Sequence, residues 1–383
     1  MTHESPLGRF DPIDGVWLNT AHQGVLPAAA AEEAREAVAW KQSPFELTQD
    51  RFDGVPRRLR VALGRLLCVP PEEVILANSA SYGLHLIANA FPWHDDDEVV
   101  VMDGDFPSDI LPWLLAERER GISVVRVRPR ARVISPDELR TALTPRTRLF
   151  CITWVHSFSG YTVDLDELGQ ICRKHGVVFV VNGSQGIGAR PLDLSSSPVD
   201  AFTSVGFKWL CGPYGAGLCW IRPELRTRLR PQKAYWLAQS SAEELASDLG
   251  AVQLRPPSTA AAWDVFGTAN FFVFKPFAAA VEHLLEVGLD HIHAHNQNLV
   301  DRFISRLRQD RYTIKSPREP GPRRSTLVFF SHRDPARAAD IHASLCENRI
   351  WTALRAGQLR LSPHLHNSME DIDQAVTLLN KLA

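Results

Sequence analysis

The sequence has almost no net charge and no long apolar run. Its 42 Lys and Arg residues against 44 Asp and Glu residues give a net charge of −2, so we expect no basic surface for nucleic acid or an anionic membrane. No stretch reaches the roughly 20 apolar residues of a membrane-spanning helix. The N-terminus, Met1–Arg9, is polar and lacks the apolar core of a secretory signal. These absences predict a cytoplasmic protein whose partners include neither nucleic acid nor a membrane.

Cysteine is scarce, and its spacing excludes two further classes of protein. The six cysteines are scattered along 383 residues, no two of them stand in a CxxC pair, and no HExxH motif occurs. Neither a disulfide framework nor a metal site is therefore predicted. The acidic run at residues 94–98 is typical of a solvated turn before a strand. The remaining composition, 45% hydrophobic and 22% charged, is that of an ordinary globular enzyme.

Short apolar runs alternate with helical patterns over the first two thirds of the chain. Runs that are apolar on both faces are typical of strands in a parallel sheet covered by helices. They are Val74–Ala77, Val99–Met102, Val124–Val127, Leu149–Val155, Val177–Val181 and Leu218–Ile221. Ser135–Leu143 and Leu165–His175 predict crossover helices, the second ending at Gly176. The predicted fold class is α/β with a mainly parallel, doubly wound sheet, which binds ligands at the carboxyl ends of its strands.

The pattern changes after residue 275 to that of a smaller α+β domain. A long helical stretch precedes a segment rich in Pro, Arg and Gly, and a strand, a helix and another strand follow. We therefore expect a large domain over residues 23–275 and a small C-terminal domain over residues 276–383. The N-terminal segment, residues 1–22, is expected to complete the small domain.

Lys208 is the strongest candidate for a functional residue. It stands after one apolar run and before a glycine-rich turn and a second apolar run, which predicts a loop between two buried strands. Phe207, Trp209 and Leu210 flank its amine with side chains that favour burial. Burial lowers the pKa of a lysine amine and makes it nucleophilic. The alternative, a solvated surface lysine, is disfavoured by these neighbours.

Polar or aromatic residues follow several of the predicted strands. Small hydroxyl residues around Ser79 and Ser81 open a helix after Val74–Ala77, and the free N–H groups of a helix start attract phosphate. Phe106 follows another strand and could offer an aromatic face, although a core phenylalanine is the plain alternative. Together with a buried Lys208, these features favour a planar phosphorylated aldehyde, pyridoxal phosphate, as the cofactor.

The ordered motifs resemble the class V aminotransferase group of fold-type I pyridoxal-phosphate enzymes, with a small C-terminal α+β domain. This group includes isopenicillin N epimerase-like proteins and cysteine desulfurases. Eight segments at suitable spacing carry the resemblance over most of the chain: Asn19–His22, Ser79–Ser81, Asp105–Ser108, Trp154–Gly160, Asn182–Gln185, Lys208–Gly217, Phe266–Thr268 and Leu359–Ser362.

The resemblance implies a role for each matching residue. Lys208 would bond the cofactor and act as the catalytic residue, and Phe106 would stack on its ring. Gln185 would hydrogen-bond the side of the ring that bears the phenolic oxygen. The phosphate would be held by Ala80, Ser81 and Ser204, and by Thr268 from the partner subunit, which implies a homodimer.

An amino-acid-type substrate is implied as well. Arg360 matches the arginine that binds the α-carboxylate, a task that suits a bidentate guanidinium; the alternative is a surface arginine on an edge strand. His22 and His156 would line the substrate pocket, with Ser157 a weaker candidate.

Asn182 is the most informative departure from the family pattern. The family has an aspartate there, whose charge keeps the ring nitrogen of the cofactor protonated. A neutral amide can hydrogen-bond that nitrogen but cannot hold its proton by charge. We therefore expect a weaker electron sink, which disfavours transamination and leaves open the expulsion of a good leaving group from Cβ. The alternatives are that the amide is tolerated, or that the protein binds the cofactor without turning it over.

The cysteines argue against a desulfurase. That reaction needs a nucleophilic cysteine shortly before Arg360, and residues 351–358 contain none; Cys346 falls in a predicted helix. The function that we predict is a C–S β-lyase that converts a cysteine S-conjugate to a thiol, pyruvate and ammonia. The chain looks similar to family members of lincosamide antibiotic biosynthesis, which process S-glycosyl-cysteine. Decarboxylation with oxidative deamination to an S-acetaldehyde by O₂ remains an alternative, followed by epimerisation or transamination.

Overall fold

A computed structural model describes residues 9–231, 233–240, 244, 253–255, 259–267 and 269–382. Its largest sheet has seven strands in the order β2-β8-β7-β6-β5-β3-β4. The strands are β2 (Val74–Ala77), β3 (Glu98–Met102), β4 (Ser123–Val127), β5 (Thr147–Thr153), β6 (Val178–Asn182), β7 (Ala201–Val205) and β8 (Gly217–Ile221). β3 to β7 pair in parallel, whereas β8 runs antiparallel to both of its neighbours. The predicted mainly parallel sheet is confirmed, because each apolar run needs cover on both faces.

Helices cover the sheet on both sides. They are α1 (Ala28–Gln42), α2 (Gln49–Leu67), α3 (Ala80–Ala90), α4 (Leu111–Arg120), α5 (Pro136–Ala142), α6 (Leu165–His175), α7 (Pro223–Arg226), α8 (Trp236–Gln239) and α9 (Phe271–Val287). Local sequence sets several ends: Ser135 and Glu138 form a capping box at the start of α5, and Gly176 ends α6 in the left-handed conformation. Two separate apolar clusters, one against each face of the sheet, form the core.

A second sheet of four strands follows in the order β12-β13-β10-β9. Its strands are β9 (Tyr312–Ile314), β10 (Val328–His332), β12 (Ala353–Arg355) and β13 (Gln358–Leu361), and the nearby helices are α10 (Leu289–Arg306), α11 (Ala338–Glu347) and α12 (Met369–Lys381). The helical stretch expected as one unit is divided at Gly288, whose φ of 86° is unfavourable for other residues. β13 lies inside this sheet, between β12 and β10.

The N-terminal segment packs against the C-terminal part of the chain. β1 (Val16–Trp17) pairs in parallel with β11 (Ile350–Trp351). Val16 and Leu18 belong to the apolar cluster of α10 to α12, whereas Phe274 and Phe277 of α9 pack in the cluster of the large sheet. The domain boundaries themselves remain a prediction.

No described helix is long and apolar enough to cross a membrane. In the same part of the chain, no group of three or more His, Cys, Asp or Glu residues could hold a metal ion.

Candidate active site

Lys208 lies on the loop between β7 and β8, at the carboxyl edge of the large sheet. The loop is fixed by Gly206, whose N–H donates to Ala216 O at 2.7 Å, and by Gly24, whose N–H donates to Phe207 O at 2.8 Å. A Cβ on Gly24 would lie 2.0 Å from Lys208 O. The N-terminal segment therefore packs directly on the backbone of Lys208, and only glycine permits this approach. Gly24 could not be predicted as part of the site, because Lys208 is 184 positions away along the chain.

The Lys208 amine is partly enclosed and surrounded by other cations. Burial lowers its pKa to about 8, with Arg360 and Arg355 also lowering it and Asp109 opposing them. An ordinary lysine titrates near about 10.4, so this amine is free of its proton at far lower pH. A free amine is the form that can bond an aldehyde or accept a proton.

The pH dependence of the amine follows from this shift. Because only the unprotonated amine is nucleophilic, the rate at which full-length apoprotein bonds pyridoxal phosphate should rise with pH and level off above about 8. Absorbance of the bound cofactor measures that rate. Replacing Arg360 with methionine removes a positive neighbour and should move the midpoint upward. A wild-type rate that still rises in proportion to hydroxide up to about pH 10 would contradict the prediction.

Phe106 lies opposite Lys208. The Lys208 Nζ is 5.6 Å from the centroid of the Phe106 ring, and the ring is 40% exposed. Phe158 stacks beside Phe106, with ring centroids 6.3 Å apart and planes 22° apart. An exposed aromatic face near a free amine suits a flat ring bound through that amine.

The start of α3 offers backbone N–H groups next to this space. Ser79 is the N-cap and its Oγ accepts from Tyr82 N at 3.1 Å, so the N–H groups of Ala80 and Ser81 have no acceptor within the helix. A Cβ on Gly217 would lie 2.6 Å from Ser79 N, so β8 approaches this turn closely. Ser204 is fully buried, with its Oγ donating to Val205 O at 2.9 Å. The helix start fits a phosphate. Thr268, which was expected to hold the phosphate from the partner subunit, lies outside the described residues.

Asn182 ends β6 and has both ends of its amide engaged. Its Nδ2 donates to Asp109 Oδ1 at 2.8 Å and to Ser108 Oγ at 3.4 Å. Its Oδ1 accepts from Ser184 N at 3.0 Å and from Ser184 Oγ at 2.6 Å. Gln185 follows Ser184 in the chain. Its Oε1 accepts from Trp209 Nε1 at 2.9 Å, and its Nε2 donates to Ala21 O at 3.1 Å. These bonds lock both amides, and sequence reasoning missed the buried Asp109.

Arg360 is buried and forms no ion pair with a carboxylate of the described residues. The residue is only 4% exposed on β13, so the alternative of a surface arginine is wrong. One guanidinium nitrogen donates to Asn19 Oδ1 at 3.0 Å, while the buried Nε has no hydrogen-bond partner among the described residues. Burial, together with the charge of Arg355, lowers the pKa of Arg360 to about 10. A buried, incompletely bonded guanidinium fits an anionic ligand such as a carboxylate.

The two predicted histidines differ in their surroundings. His22 is largely exposed. Partial burial of its ring, followed by the charges of Arg355, Arg360 and Lys208, lowers its pKa. His22 therefore lies within electrostatic reach of these cations. His156 is buried, and its ring nitrogens lie 2.8 Å from Ser159 Oγ and 3.2 Å from Gly104 O. Of the two predicted histidines, His22 is therefore the one whose charge interacts with that of Lys208. Ser157 is buried beside His156.

The arrangement joins an amine, an aromatic face, a phosphate-binding helix start and a carboxylate-binding arginine. The family model of class V aminotransferases matches residues 49–374. The chain belongs to the class V aminotransferases. Members of this family depend on pyridoxal phosphate, so the chain is a pyridoxal-phosphate enzyme. The predicted cofactor and the prediction that the chain is a pyridoxal-phosphate-dependent enzyme are confirmed.

Named relatives of this class V aminotransferase catalyse different reactions. It is 27% identical over 390 residues to an isopenicillin N epimerase of Streptomyces clavuligerus, covering 95% of this chain and 94% of the relative. It is also 27% identical over 406 residues to a probable cysteine desulfurase of Xylella fastidiosa, covering 99% and 92%. A solved complex of the cystine C–S lyase C-DES with cysteine persulfide superposes with a TM-score of 0.86 at 21% identity, covering 96% of this chain and 97% of that chain. The structural match confirms the fold.

Proposed function

We propose that this class V aminotransferase is a C–S β-lyase acting on a cysteine S-conjugate. The segment before Arg360, together with Arg355 and Arg360, which act on Lys208 by their charge, is called here the mouth of the site. The observation that carries the proposal is that the described residues of this mouth include cations and no thiol. Residues 351–358 lead to Arg360 and contain no cysteine, while Cys346 lies on α11 and burial raises the pKa of its thiol. A thiolate is the reactive form of cysteine, so sulfur transfer to the protein is disfavoured. The sulfur would leave with its own substituent.

The chain's residues suit this reaction. Pyridoxal phosphate, when bound, supplies the carbonyl that captures the amino group and the ring that withdraws electrons from Cα. The buried Arg360 would hold the α-carboxylate and orient the Cα–H bond. The Lys208 amine would take the Cα proton, and the C–S bond at Cβ would break as the thiolate leaves. Water then converts the released 2-aminoacrylate to pyruvate and ammonia, so that no oxidant is needed.

The other family reactions receive less support from the described residues. Epimerisation needs a base on each side of Cα, and Lys208 is the base that the geometry identifies. The structural similarity to a C–S lyase agrees with elimination. Phe158, which stacks beside Phe106, offers an aromatic face for a bulky S-substituent, such as the sugar of an S-glycosyl-cysteine in antibiotic biosynthesis.

Turnover with and without oxygen tests the reaction type. The holoenzyme is incubated with a cysteine S-glycoside in air and under argon, and thiol, pyruvate and O₂ are quantified. We expect equal rates in both atmospheres, one thiol per pyruvate and no oxygen uptake. Activity that requires O₂ would establish the oxidative alternative, and formation of alanine from free cysteine would favour desulfuration.

We also propose a homodimer in the cytoplasm. Tyr214, Trp236 and Phe266 expose 75%, 54% and 59% of their surface, and large exposed apolar side chains mark interaction surfaces. Tyr214 packs on Phe207, next to Lys208, with ring centroids 4.6 Å apart, so a second copy at this surface would border the site. Light scattering should give twice the chain mass; a monomeric mass would contradict this proposal.

A further inference from the structure

Asp109 is a buried carboxyl group beside the cofactor site. It ends the turn Pro107–Asp109 that begins after Phe106, and the residue is only 1% exposed. Its Oδ1 accepts from Asn182 Nδ2 at 2.8 Å. Its Oδ2 is buried without a hydrogen-bond partner among the described residues. An unsatisfied carboxyl oxygen in a buried position is costly, and a hydrogen-bonding group of a bound ligand would relieve that cost.

The neighbouring side-chain oxygens of Asp105 and Asn182 already accept hydrogen bonds. Both oxygens of Asp105 accept backbone N–H groups, from Phe106 at 2.7 Å and from Thr153 at 3.0 Å. The Oδ1 of Asn182 already accepts twice from Ser184. Asp109 Oδ2 is therefore the unused acceptor of this cluster. The charges of Asp109 and Lys208 also interact, which places the carboxyl within electrostatic reach of the amine.

The chemistry of the cofactor connects these two groups. In pyridoxal phosphate the ring nitrogen lies across the ring from the aldehyde carbon that a lysine bonds. A group that faces the ring nitrogen is consequently separated from Lys208 by the width of the ring, on the side away from the amine. The cluster of Asp109 and Asn182, next to the aromatic face of Phe106, suits that position.

We propose that Asp109 supplies, through Oδ2, the negative charge at the ring nitrogen that Asn182 cannot supply. Asn182 is then a positioning residue that holds the other carboxyl oxygen. Burial and the charge of Asp105 raise the pKa of Asp109 well above its ordinary value, while Asn182 and Lys208 act against them. A raised pKa favours the protonated carboxyl group, which would share its proton with the ring nitrogen of the bound cofactor.

With Asp109 at the ring nitrogen, the cofactor would be a strong electron sink, contrary to the expectation from Asn182 alone. With a protonated ring nitrogen, the preference for elimination depends on the thiol-free mouth and no longer on Asn182. The proposal rests on the family's cofactor and not on the β-lyase reaction. A test without substrate can therefore fail while the proposed reaction stands, and the reverse also holds.

Nitrogen NMR of holoenzyme loaded with ¹⁵N-pyridoxal phosphate tests the proposal. We expect a protonated ring nitrogen in the wild type at neutral pH and an unprotonated one in Asp109→Asn, whose cofactor should also dissociate at least about tenfold more readily. Ser108→Ala is the matched control, since it removes a 3.4 Å contact to Asn182 but no charge, and it should keep the proton.

The exchange variant Asp109→Asn/Asn182→Asp covers the case in which Asp109→Asn does not fold. It keeps one carboxyl group and one amide in contact, and we expect it to retain the protonated nitrogen. An unprotonated nitrogen in the wild type would overturn the proposal. A nitrogen that stays protonated in folded Asp109→Asn would overturn it as well.

Discussion

Lys208→Ala should lower kcat/KM for a cysteine S-conjugate by about 10³-fold or more, because a positioned base contributes about 10²- to 10⁴-fold. The amine lies 5.6 Å from the Phe106 ring centroid and has its pKa lowered to about 8. No other lysine is identified in this position. Steady-state release of pyruvate measures the loss.

Folding and cofactor binding must be separated from this loss. Lys174→Ala, at an exposed lysine in the last turn of α6, is the matched control and should retain activity. The thermal midpoint of Lys208→Ala should equal or exceed that of the wild type, because burial disfavours the charged amine. Added methylamine should restore part of the activity by supplying a free base. Retention of activity within about tenfold would remove Lys208 from its proposed role.

Arg360→Met should lower kcat/KM by about 100-fold, mainly through KM, because truncating one partner of a buried charge pair costs about 2–5 kcal/mol. The α-carboxylate of the substrate would lose its buried partner. The free protein should respond in the opposite direction. The Nε of the Arg360 guanidinium is buried and has no hydrogen-bond partner among the described residues. Replacing this side chain with an apolar one should therefore leave the thermal midpoint unchanged or raise it.

Arg355→Met is the matched control for Arg360. Arg355 is exposed near the same mouth, and its charge acts on His22, Lys208 and Arg360. Exposed charges interact weakly because water screens them, so a change of only a few-fold is expected. Thermal melting and steady-state kinetics on the same preparations decide the matter. If the stability of Arg360→Met falls together with its activity, Arg360 has a structural role instead.

Much of the large sheet could be predicted from local sequence. Val74–Ala77 is a strand with the predicted bounds, because four apolar residues between polar turns favour a buried strand. Leu165–His175 begins after Asp164 and ends at Gly176 as caps predict. The break at Gly288 was not predicted, because the apolar pattern continues through it and glycine conformation depends on packing.

The site was predictable only as far as motifs extend. Lys208, Phe106 and Arg360 stand in recognisable patterns, and the structure places Lys208 near both of the others. The contacts of Gly24 and the unsatisfied oxygen of Asp109 depend on segments distant in sequence. For the same reason Asn182 could be interpreted as a lost charge, since its carboxyl partner at 2.8 Å is invisible in a single sequence.

The fate of the α-carboxylate tests the central claim most directly. The holoenzyme would be given a cysteine S-glycoside labelled with ¹³C at the carboxyl carbon, and the products would be followed by carbon NMR in air. A β-lyase keeps this carbon, so we expect all of the label in the carboxylate of pyruvate. Label that leaves as carbon dioxide would contradict β-elimination and establish the decarboxylating reaction in its place.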